Sequence, residues 1–403
     1  MKGNVLYGQS GGPSSVINSS ALGVFLEARR QRDKIDKIFV MKNGIVGAIK
    51  NQVCEITSQN TDLLKLRHTS GAIFGSSRYK LDDCKIRPAE YLAIVKTLQA
   101  HNIRYFFLNG GNDSMDTCNK INNYLQMVNY ECRVIGIPKT IDNDLVGIDH
   151  SPGYGSSAKF IANLMIELDL DNSSYPMGRV VIVEIMGRNA GWLAASAKLA
   201  SIVGHGPDLI YVPEVSFDSQ SFVDRVKKIY QTKNRVLIAV SEGINYREAC
   251  RLNIGQTDPF GHRVLGGVSY ALASLIKEKL SLETKVINMG MAQRSAARIS
   301  SLTDIREAEM IGKEAVRQAC CGKTGKMITI ERKSNIPYST CFGLADLETV
   351  ANKEKRLPLT MINKSGDNIN DGFIEYALPL IQGEDQDRFD NGLLDTFNFV
   401  FSK

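Results

Sequence analysis

The stretch NVLYGQSGGP, residues 4–13, is a short apolar run followed directly by a glycine-rich turn. From about residue 15 to residue 30, apolar residues recur at the spacing of one helix face. Pro13 lies just before this pattern, near the first turn, where helices tolerate proline. A strand, a glycine turn and a helix in this order predict a phosphate site, because backbone N–H groups at a helix start point towards such a turn.

The same alternation of strands and helices continues along the chain. Further strands are predicted at 37–41, 105–108, 133–137, 179–185, 209–212 and 235–240, and further helices at 88–100, from about 114 to 123, and at 155–170. Such alternation predicts parallel sheets covered on both faces. We expect an α/β protein with two Rossmann-like three-layer lobes of mainly parallel sheets, at 1–154 and 155–300, and a return segment with a C-terminal extension at 301–403.

Polar sequences follow the predicted strands at the points where five of them end, after Tyr7, Leu108, Ile137, Ile185 and Val240. In open α/β sheets, ligands bind at the carboxyl ends of the strands. The sequence therefore predicts a binding site built from these loops.

The composition is that of an ordinary globular protein, with 403 residues, 43% hydrophobic, 23% charged and a net charge of +6. This mild excess favours anionic substrates and is not a nucleic-acid footprint. No apolar run approaches the roughly 18 residues of a membrane helix, and no signal peptide is recognisable. Eight cysteines without a CxxC motif indicate reduced thiols, and unpaired histidines argue against zinc. We expect a cytoplasmic protein that binds neither nucleic acid nor membrane.

The segment PKTIDND, residues 138–144, carries the most chemistry. Asp142 and Asp144 lie two residues apart directly after a predicted strand, and Lys139 lies three residues before Asp142. Phosphoryl transfer to an alcohol needs a base for the hydroxyl proton, acidic groups for Mg²⁺ and cations for the phosphoryl oxygens. An Asx-rich turn that caps a helix would have the same residues. The carboxylate spacing alone leaves both interpretations open.

The chain resembles the phosphofructokinase family, and its pyrophosphate-dependent type in particular. The motifs that carry the resemblance occur in the family's order at residues 11–12, 75–79, 110–113, 140–144, 184–188, 213–214, 241–243 and 293–295. The resemblance implies a donor and catalytic lobe at 1–154 and a sugar-phosphate lobe at 155–300.

The resemblance also implies roles for single residues. Asp142 resembles the proton acceptor for the 1-hydroxyl of fructose 6-phosphate, and Thr140 and Asp144 flank it to bind substrate and Mg²⁺. The other implied catalytic residues are Lys139 and Asp113. The implied donor-binding residues are Gly11, Gly12, Arg78 and Gly111. The implied substrate-binding residues, besides Thr140 and Asp142, are Ile141, Met186, Gly187, Arg188, Glu242, Arg179, Lys285, Met291 and Arg294.

Two of these implications bear on assembly and metal binding. The family's equivalent of Arg179 reaches the site of a neighbouring subunit, which implies a homodimer or homotetramer with shared active sites. Asn112 is implied as a metal ligand beside Asp144, at a place where many relatives have an aspartate. Met291 replaces a histidine or tyrosine, and this change could alter the sugar preference. Lys285 would equally suit a solvated surface position.

Two positions separate the donor types of the family. ATP users resemble GGDG and PGTIDND, whereas pyrophosphate users resemble GGDD or GGND and PKTIDND. This chain has Asp113 and Lys139 at the two positions. A carboxylate at Asp113 would repel the α-phosphate of ATP, and Lys139 would supply positive charge during transfer. A helix N-cap and a solvated lysine are the alternative interpretations.

The expected reaction converts fructose 6-phosphate and pyrophosphate to fructose 1,6-bisphosphate and phosphate, reversibly and with Mg²⁺, in glycolysis or gluconeogenesis. The alternatives are an ATP-dependent 6-phosphofructokinase and a catalytically weakened regulatory subunit that binds sugar phosphate.

Overall fold

A computed structural model describes residues 1–57, 62–246 and 267–401. The chain divides into two compact units. Unit 1 comprises Met1–Ser156, Arg294–Glu354 and Gly383–Lys403, and unit 2 comprises Ser157–Gln293 and Lys355–Gln382. The first unit boundary lies after Ser156, and the predicted lobes, 1–154 and 155–300, stay a prediction. The predicted third region, 301–403, is instead divided between the two units.

All the predicted strands and helices are present, together with others that the sequence did not predict. The strands are β1 (Gly3–Gln9), β2 (Ile35–Met41), β3 (Val53–Glu55), β4 (Ile103–Gly110), β5 (Arg133–Pro138), β6 (Val180–Ile185), β7 (Leu209–Tyr211), β8 (Val236–Ser241), β9 (Thr284–Asn288), β10 (Lys326–Asn335), β11 (Tyr338–Asp346), β12 (Phe389–Asp390) and β13 (Leu393–Leu394). The helices are α1 (Ile17–Arg30), α2 (Ile45–Ile49), α3 (Pro88–Ala100), α4 (Asn112–Met127), α5 (Tyr154–Ser173), α6 (Trp192–Ser196), α7 (Ser219–Lys233), α8 (Val268–Leu280), α9 (Ala292–Ser295), α10 (Leu302–Cys320), α11 (Leu347–Val350) and α12 (Gly372–Ala377). Short 3₁₀ helices lie at Leu63–Arg67, Ala197–Val203, Ala297–Ile299, Leu359–Met361, Leu378–Ile381 and Gln386–Arg388.

Unit 1 is built on a mixed sheet. In the described part of this unit the strand order is β11-β10-β5-β4-β1-β2-β3. The central strands are parallel, and the two edge strands β3 and β11 run antiparallel to their neighbours. The order reverses between β1 and β4, so their carboxyl ends form a topological switch point, where ligands bind in such folds. Both strands are almost wholly buried because helices cover the two faces of the sheet.

Unit 2 is built on a smaller sheet. Its described strands lie in the order β7-β8-β6-β9 and are all parallel. β6 and β8 are buried along their whole length and are apolar except for Glu184 and Ser241, as parallel strands covered on both faces require. The prediction of an α/β protein with mainly parallel sheets is confirmed.

Helices α1 and α10 cross at two glycines. A Cβ atom on Gly23 would lie 2.0 Å from the Glu309 carbonyl oxygen, and one on Gly312 would lie 2.1 Å from the Ser20 carbonyl oxygen. Neither position has room for a side chain, so this contact requires glycine on both helices. The crossing attaches α10, which comes late in the chain, to the first helix of unit 1.

The return segment is part of the unit 1 sheet and not only a covering extension. β10 pairs in parallel with β5, and β11 pairs with β10 as an antiparallel hairpin. Pairing at the open edge of β5 satisfies backbone groups that would otherwise be exposed at a sheet edge. No helix among residues 1–57, 62–246 and 267–401 is long and apolar enough to cross a membrane.

Candidate active site

The glycine turn after β1 lies against two cations. Gly11 has a φ of +75°, and a Cβ atom there would lie 3.7 Å from Lys139 Nζ. A Cβ atom on Gly12 would lie 2.7 Å from Arg294 Nη1. A side chain at Gly12 would therefore displace the guanidinium, which explains why the turn has glycine at this position.

The loop that contains Arg78 is tied to the same turn. Ser76 Oγ donates to the Gly11 carbonyl oxygen at 2.6 Å, and Gly11 N donates to the Ser77 carbonyl oxygen at 3.3 Å. The positive charge of Arg78 helps to lower the pKa of both Lys139 and Arg294. Three predicted site cations thus form one cluster beside the glycine turn.

Lys139 follows directly after β5, which brings it to the switch point. It is only 4% exposed, and its Nζ donates to the Gly12 carbonyl oxygen at 2.5 Å. Burial lowers its pKa to about 8, and the charges of Arg294 and Arg78 act in the same direction, whereas Asp142 and Asp144 oppose the shift. The interpretation of Lys139 as a solvated surface lysine is therefore wrong. A buried cation beside a glycine turn is suited to bind a phosphate oxygen.

The two carboxylates lie on the loop that continues from Lys139. Thr140 Oγ1 accepts a hydrogen bond from Asp142 N at 3.1 Å, and Asn143 Oδ1 accepts one from Ser151 N at 3.0 Å. Within the described residues, the buried Oδ1 of Asp144 has no hydrogen-bond partner. Burial raises the pKa of Asp144 to about 7, and the nearby Asp142 charge adds to the shift. A buried carboxylate oxygen without a donor is suited to a cation.

Helix α4 begins directly after the second glycine loop. Its N-cap residue is Gly111, so Asp113 lies within the first turn and is not the N-cap. The Asn112 side-chain amide contacts the backbone of a later segment: Nδ2 donates to the Lys353 carbonyl oxygen at 2.5 Å, and Oδ1 accepts from Asn352 N at 2.6 Å. Because α4 follows directly after β4, its N-terminus lies at the switch point, as in other helix-start anion sites.

In unit 2, the loop after β6 is fixed by a buried carboxylate. Glu184 is 2% exposed and accepts hydrogen bonds from Ser269 N at 2.9 Å and from Ser269 Oγ at 2.6 Å. Gly267 N and Asn288 Nδ2 donate to its other oxygen. Its two oxygens are therefore well satisfied, which makes Glu184 a structural anchor for the carboxyl end of β6.

The predicted sugar-phosphate residues Gly187 and Glu242 lie together. Gly187 N donates to Glu242 Oε1 at 3.4 Å, and Ser241 Oγ donates to the Gly187 carbonyl oxygen at 2.5 Å. Burial raises the pKa of Glu242, while the Gly187 amide and the Arg188 charge oppose the shift. Met186 N, next in the chain, donates to Gln293 Oε1 at 3.1 Å. The loops after β6 and β8 thus hold the predicted set in one place.

Three other predicted substrate residues of unit 2 are more exposed. Arg179 Nε lies 2.7 Å from Glu283 Oε1, and its guanidinium lies 5.4 Å from the Tyr175 ring centroid. Lys285 is exposed on β9, and Met291 is 67% exposed. These side chains face solvent, in contrast to the buried cations of unit 1.

Two features of the site differ from the sequence predictions. Arg294, expected with the sugar-phosphate residues, belongs to unit 1 and lies against Gly12. Glu354, which the sequence did not single out, lies close enough to Asp144 to raise the pKa of that carboxyl. The sequence gives no signal for Glu354, because the contact joins segments about 200 residues apart.

The chain is similar to known proteins over almost all its length. The family model described as Phosphofructokinase matches residues 4–319. Pyrophosphate–fructose 6-phosphate 1-phosphotransferase of Halomonas elongata is 41% identical over 395 residues, which are 97% of this chain and 94% of that protein. Two crystal structures of pyrophosphate-dependent phosphofructokinases have a TM-score of 0.88 to this chain. The protein from Marinobacter aquaeolei is 37% identical, with 100% of this chain and 98% of that one covered. The protein from Nitrosospira multiformis is 40% identical, with 97% and 95% covered. The family resemblance is confirmed, and the chain belongs to the phosphofructokinase family.

Proposed function

We propose that this protein transfers a phosphoryl group from pyrophosphate to the 1-hydroxyl of fructose 6-phosphate, giving fructose 1,6-bisphosphate and orthophosphate. The observation that carries the proposal is the cluster at the switch point of unit 1. There, a buried lysine, two arginines and two carboxylates surround a glycine turn. The names of the relatives at 37–41% identity support the same reaction.

The residues of unit 1 suit the steps of an in-line transfer. Asp142 accepts the proton of the 1-hydroxyl as its oxygen attacks the terminal phosphorus of pyrophosphate. The new O–P bond forms while the bond to the bridging oxygen breaks, and orthophosphate leaves. Lys139 and Arg294, close to Gly11 and Gly12, stabilise the negative charge that the phosphoryl oxygens carry. Because both phosphate links have similar energies, the reaction is reversible.

Mg²⁺ fits the same residues. The buried Oδ1 of Asp144, for which the described residues provide no donor, is a hard oxygen ligand of the kind that Mg²⁺ prefers. Asp142, on the same loop, supplies a second carboxylate. We assign Mg²⁺ to this loop, where it would neutralise charge on the donor phosphates. Asn112 is a weaker candidate, because both polar atoms of its side chain bind the backbone of residues 352–353.

Two residues favour pyrophosphate over ATP as the donor. Asp113, in the first turn of α4, adds negative charge where a longer polyphosphate would extend. Lys139 adds a buried positive charge beside the glycine turn. In unit 2, Glu242 with the backbone of Gly187 offers groups for sugar hydroxyls, and Arg188 offers a fork for phosphate.

The protein's assembly and location belong to the same proposal. We expect a cytoplasmic homodimer or homotetramer, in which Arg179 reaches a neighbouring site. Arg179 pairs with Glu283 of its own unit in the single chain, and an exposed pair of this kind contributes little energy and can exchange partners. Sedimentation of the protein with and without the Arg179→Ala change measures the assembly state.

Initial rates with fructose 6-phosphate and Mg²⁺ test the donor assignment. We expect turnover with pyrophosphate and a rate at least about a hundredfold lower with ATP, because a like charge placed against the extra phosphate costs several kcal/mol. Turnover with ATP alone would favour the ATP-dependent alternative. No turnover with either donor would favour the regulatory subunit.

A further inference from the structure

A short segment lies across the start of α4. Residues 351–354, called the strap, follow α11 and carry the chain out of unit 1. Asn112 holds this segment with both polar atoms of its amide, since Nδ2 donates to the Lys353 carbonyl oxygen and Oδ1 accepts from Asn352 N. At 2.5 and 2.6 Å these are close contacts. One side chain thus fixes two consecutive residues of the strap.

Two further contacts define the course of the strap. Asn352 Nδ2 donates to Asp116 Oδ1 at 3.1 Å, and residues 112 and 116 lie on the same face of α4. At its other end, Glu354 pairs with Leu145 in an antiparallel bridge, one residue after Asp144. The strap therefore runs from the first turn of α4 to the end of the loop with Asp142 and Asp144.

These two endpoints are walls of the proposed donor site. The first turn of α4 carries Gly111 and Asp113, and the loop carries Asp142 and Asp144. In the proposed site, a donor longer than pyrophosphate would extend past both walls. Asp113 restricts the exit by charge, and the strap restricts it by volume on the face of residues 112 and 116.

We propose that Asn112 is a positioning residue that determines donor size: its amide holds the strap over the donor end of the site, so that the site accepts pyrophosphate and rejects donors with a third phosphate. This inference rests on the proposed function and adds a second device to the charge of Asp113.

The amide group itself is essential to this arrangement. An aspartate at residue 112 keeps the acceptor for Asn352 N but loses the donor, and its negative oxygen would face the Lys353 carbonyl oxygen. If Asn112 were a metal ligand, an aspartate would be the better residue, since it adds charge. An aspartate at a helix start would also stabilise α4 through the helix dipole. The two roles therefore predict opposite results for the Asn112→Asp change.

The test compares donors in matched variants. The values of kcat/KM for pyrophosphate and for inorganic tripolyphosphate are measured with saturating fructose 6-phosphate, in wild type, Asn112→Asp and Asn112→Ala. Asn123→Asp is the control, because it makes the same change at an exposed position on the same helix. Hydrogen exchange of the Asn352 amide reports whether the strap is held, independently of activity.

We expect wild type and the control to prefer pyrophosphate strongly. In both Asn112 variants we expect the ratio of kcat/KM for pyrophosphate to that for tripolyphosphate to fall by about tenfold or more, because one or two hydrogen bonds are lost. The Asn352 amide should also exchange faster. Unchanged global exchange in these variants shows that the fold is intact.

If wild type is active with pyrophosphate, three results would overturn the inference about Asn112 and leave the proposed function standing. These are an unchanged donor preference in both variants, an Asn112→Asp enzyme that is faster and needs less Mg²⁺, and a wild type that uses tripolyphosphate as well as pyrophosphate. A wild type inactive with pyrophosphate would overturn the proposed function and, with it, this inference.

Discussion

Two carboxylates, Glu184 of unit 2 and Asp144 of unit 1, differ in how fully their buried oxygens are hydrogen-bonded. In unit 2, both oxygens of Glu184 accept hydrogen bonds from backbone amides and polar side chains. In unit 1, Asp144 keeps a buried oxygen that has no donor in the described part of the chain. A buried carboxylate oxygen without a donor costs free energy, and a bound cation would remove that cost. The comparison separates the anchor of a loop from a carboxylate that we propose as a ligand of Mg²⁺.

The difference follows the role of the residue and not the unit. Unit 1 also contains a satisfied network, in which His150 lies between two carboxylates, 2.8 Å from Asp149 Oδ1 and 2.7 Å from Glu307 Oε2. Tyr338 donates to the other oxygen of Glu307 at 2.7 Å. Like Glu184, Glu307 accepts hydrogen bonds on both oxygens, whereas Asp144 Oδ1 accepts none from the described residues.

The largest expected effect is on the loop that carries Asp142 and Asp144. The Asp142→Asn change keeps the size of the side chain and removes the proton acceptor. We expect kcat to fall by about 10³-fold or more, since positioned general bases contribute roughly 10²–10⁴. Steady-state kinetics measure the loss, and the unfolding midpoint should stay close to that of wild type. A variant that retains more than a tenth of the rate would show that another group accepts the proton.

The second-largest effect on activity is expected from replacing Lys139. Lys139→Met should lower kcat/KM for pyrophosphate by about 10²–10³, because a cation at the developing charge is lost. Burial lowers the lysine pKa to about 8, so its positive charge is present below that pH and is lost as the pH rises through it. In wild type, kcat/KM should therefore decline above pH about 8.

The Lys139→Arg variant separates this titration from that of the substrates. Arginine remains protonated throughout the range, so the decline should move to higher pH in this variant. Equal alkaline limbs in wild type and Lys139→Arg would assign the decline to another group.

The Glu184→Gln change tests whether the hydrogen bonds to Glu184 stabilise unit 2. The NH₂ group of the new glutamine would face N–H and O–H groups that now donate to Glu184. We therefore expect unit 2 to lose about 3 kcal/mol of unfolding free energy. Trp192 is the single tryptophan of the chain and lies in unit 2, so its fluorescence in urea reports this unit. The control is Glu283→Gln, on a 69% exposed side chain, which should change stability by less than about 1 kcal/mol. Equal effects of the two changes would refute the anchoring role.

The smallest expected effect concerns His150. Its two carboxylate partners outweigh burial and raise its pKa to about 9, so the stabilisation is complete below the unfolded pKa of about 6.5 and is lost as the pH rises through about 9. Between pH 6 and 9 we expect wild type to lose about 2 kcal/mol more than His150→Gln, measured by urea unfolding followed by circular dichroism. A wild-type slope in His150→Gln would exclude the network as its origin.

Much of the fold follows from local sequence patterns. The run NVLYGQSGGP predicts β1 and its glycine turn, and the structure has β1 at Gly3–Gln9 and α1 at Ile17–Arg30. The predicted helix 88–100 agrees with α3. β9, β10 and β11 were not predicted, because β9 is only partly buried and the hairpin mixes polar and apolar residues. Their pairing depends on neighbouring strands that local patterns do not contain.

The site was predictable where it follows the strand ends. Lys139, Asp142 and Asp144 come directly after β5, and the structure brings them to the glycine turn after β1. Contacts between distant segments were not predictable, since Asn112 and Asn352 are 240 residues apart. The points where the chain passes from one unit to the other were not predictable either, because no change of composition marks residues 354 or 383.

The most direct test of the central claim follows the phosphorus atoms themselves. Phosphorus NMR of the protein with fructose 6-phosphate, Mg²⁺ and pyrophosphate should show fructose 1,6-bisphosphate and orthophosphate appearing in equal amounts. The reverse reaction should occur from these two products, and Asp142→Asn should show neither. Pyrophosphate hydrolysis without the sugar bisphosphate, or equal transfer by wild type and Asp142→Asn, would contradict the account.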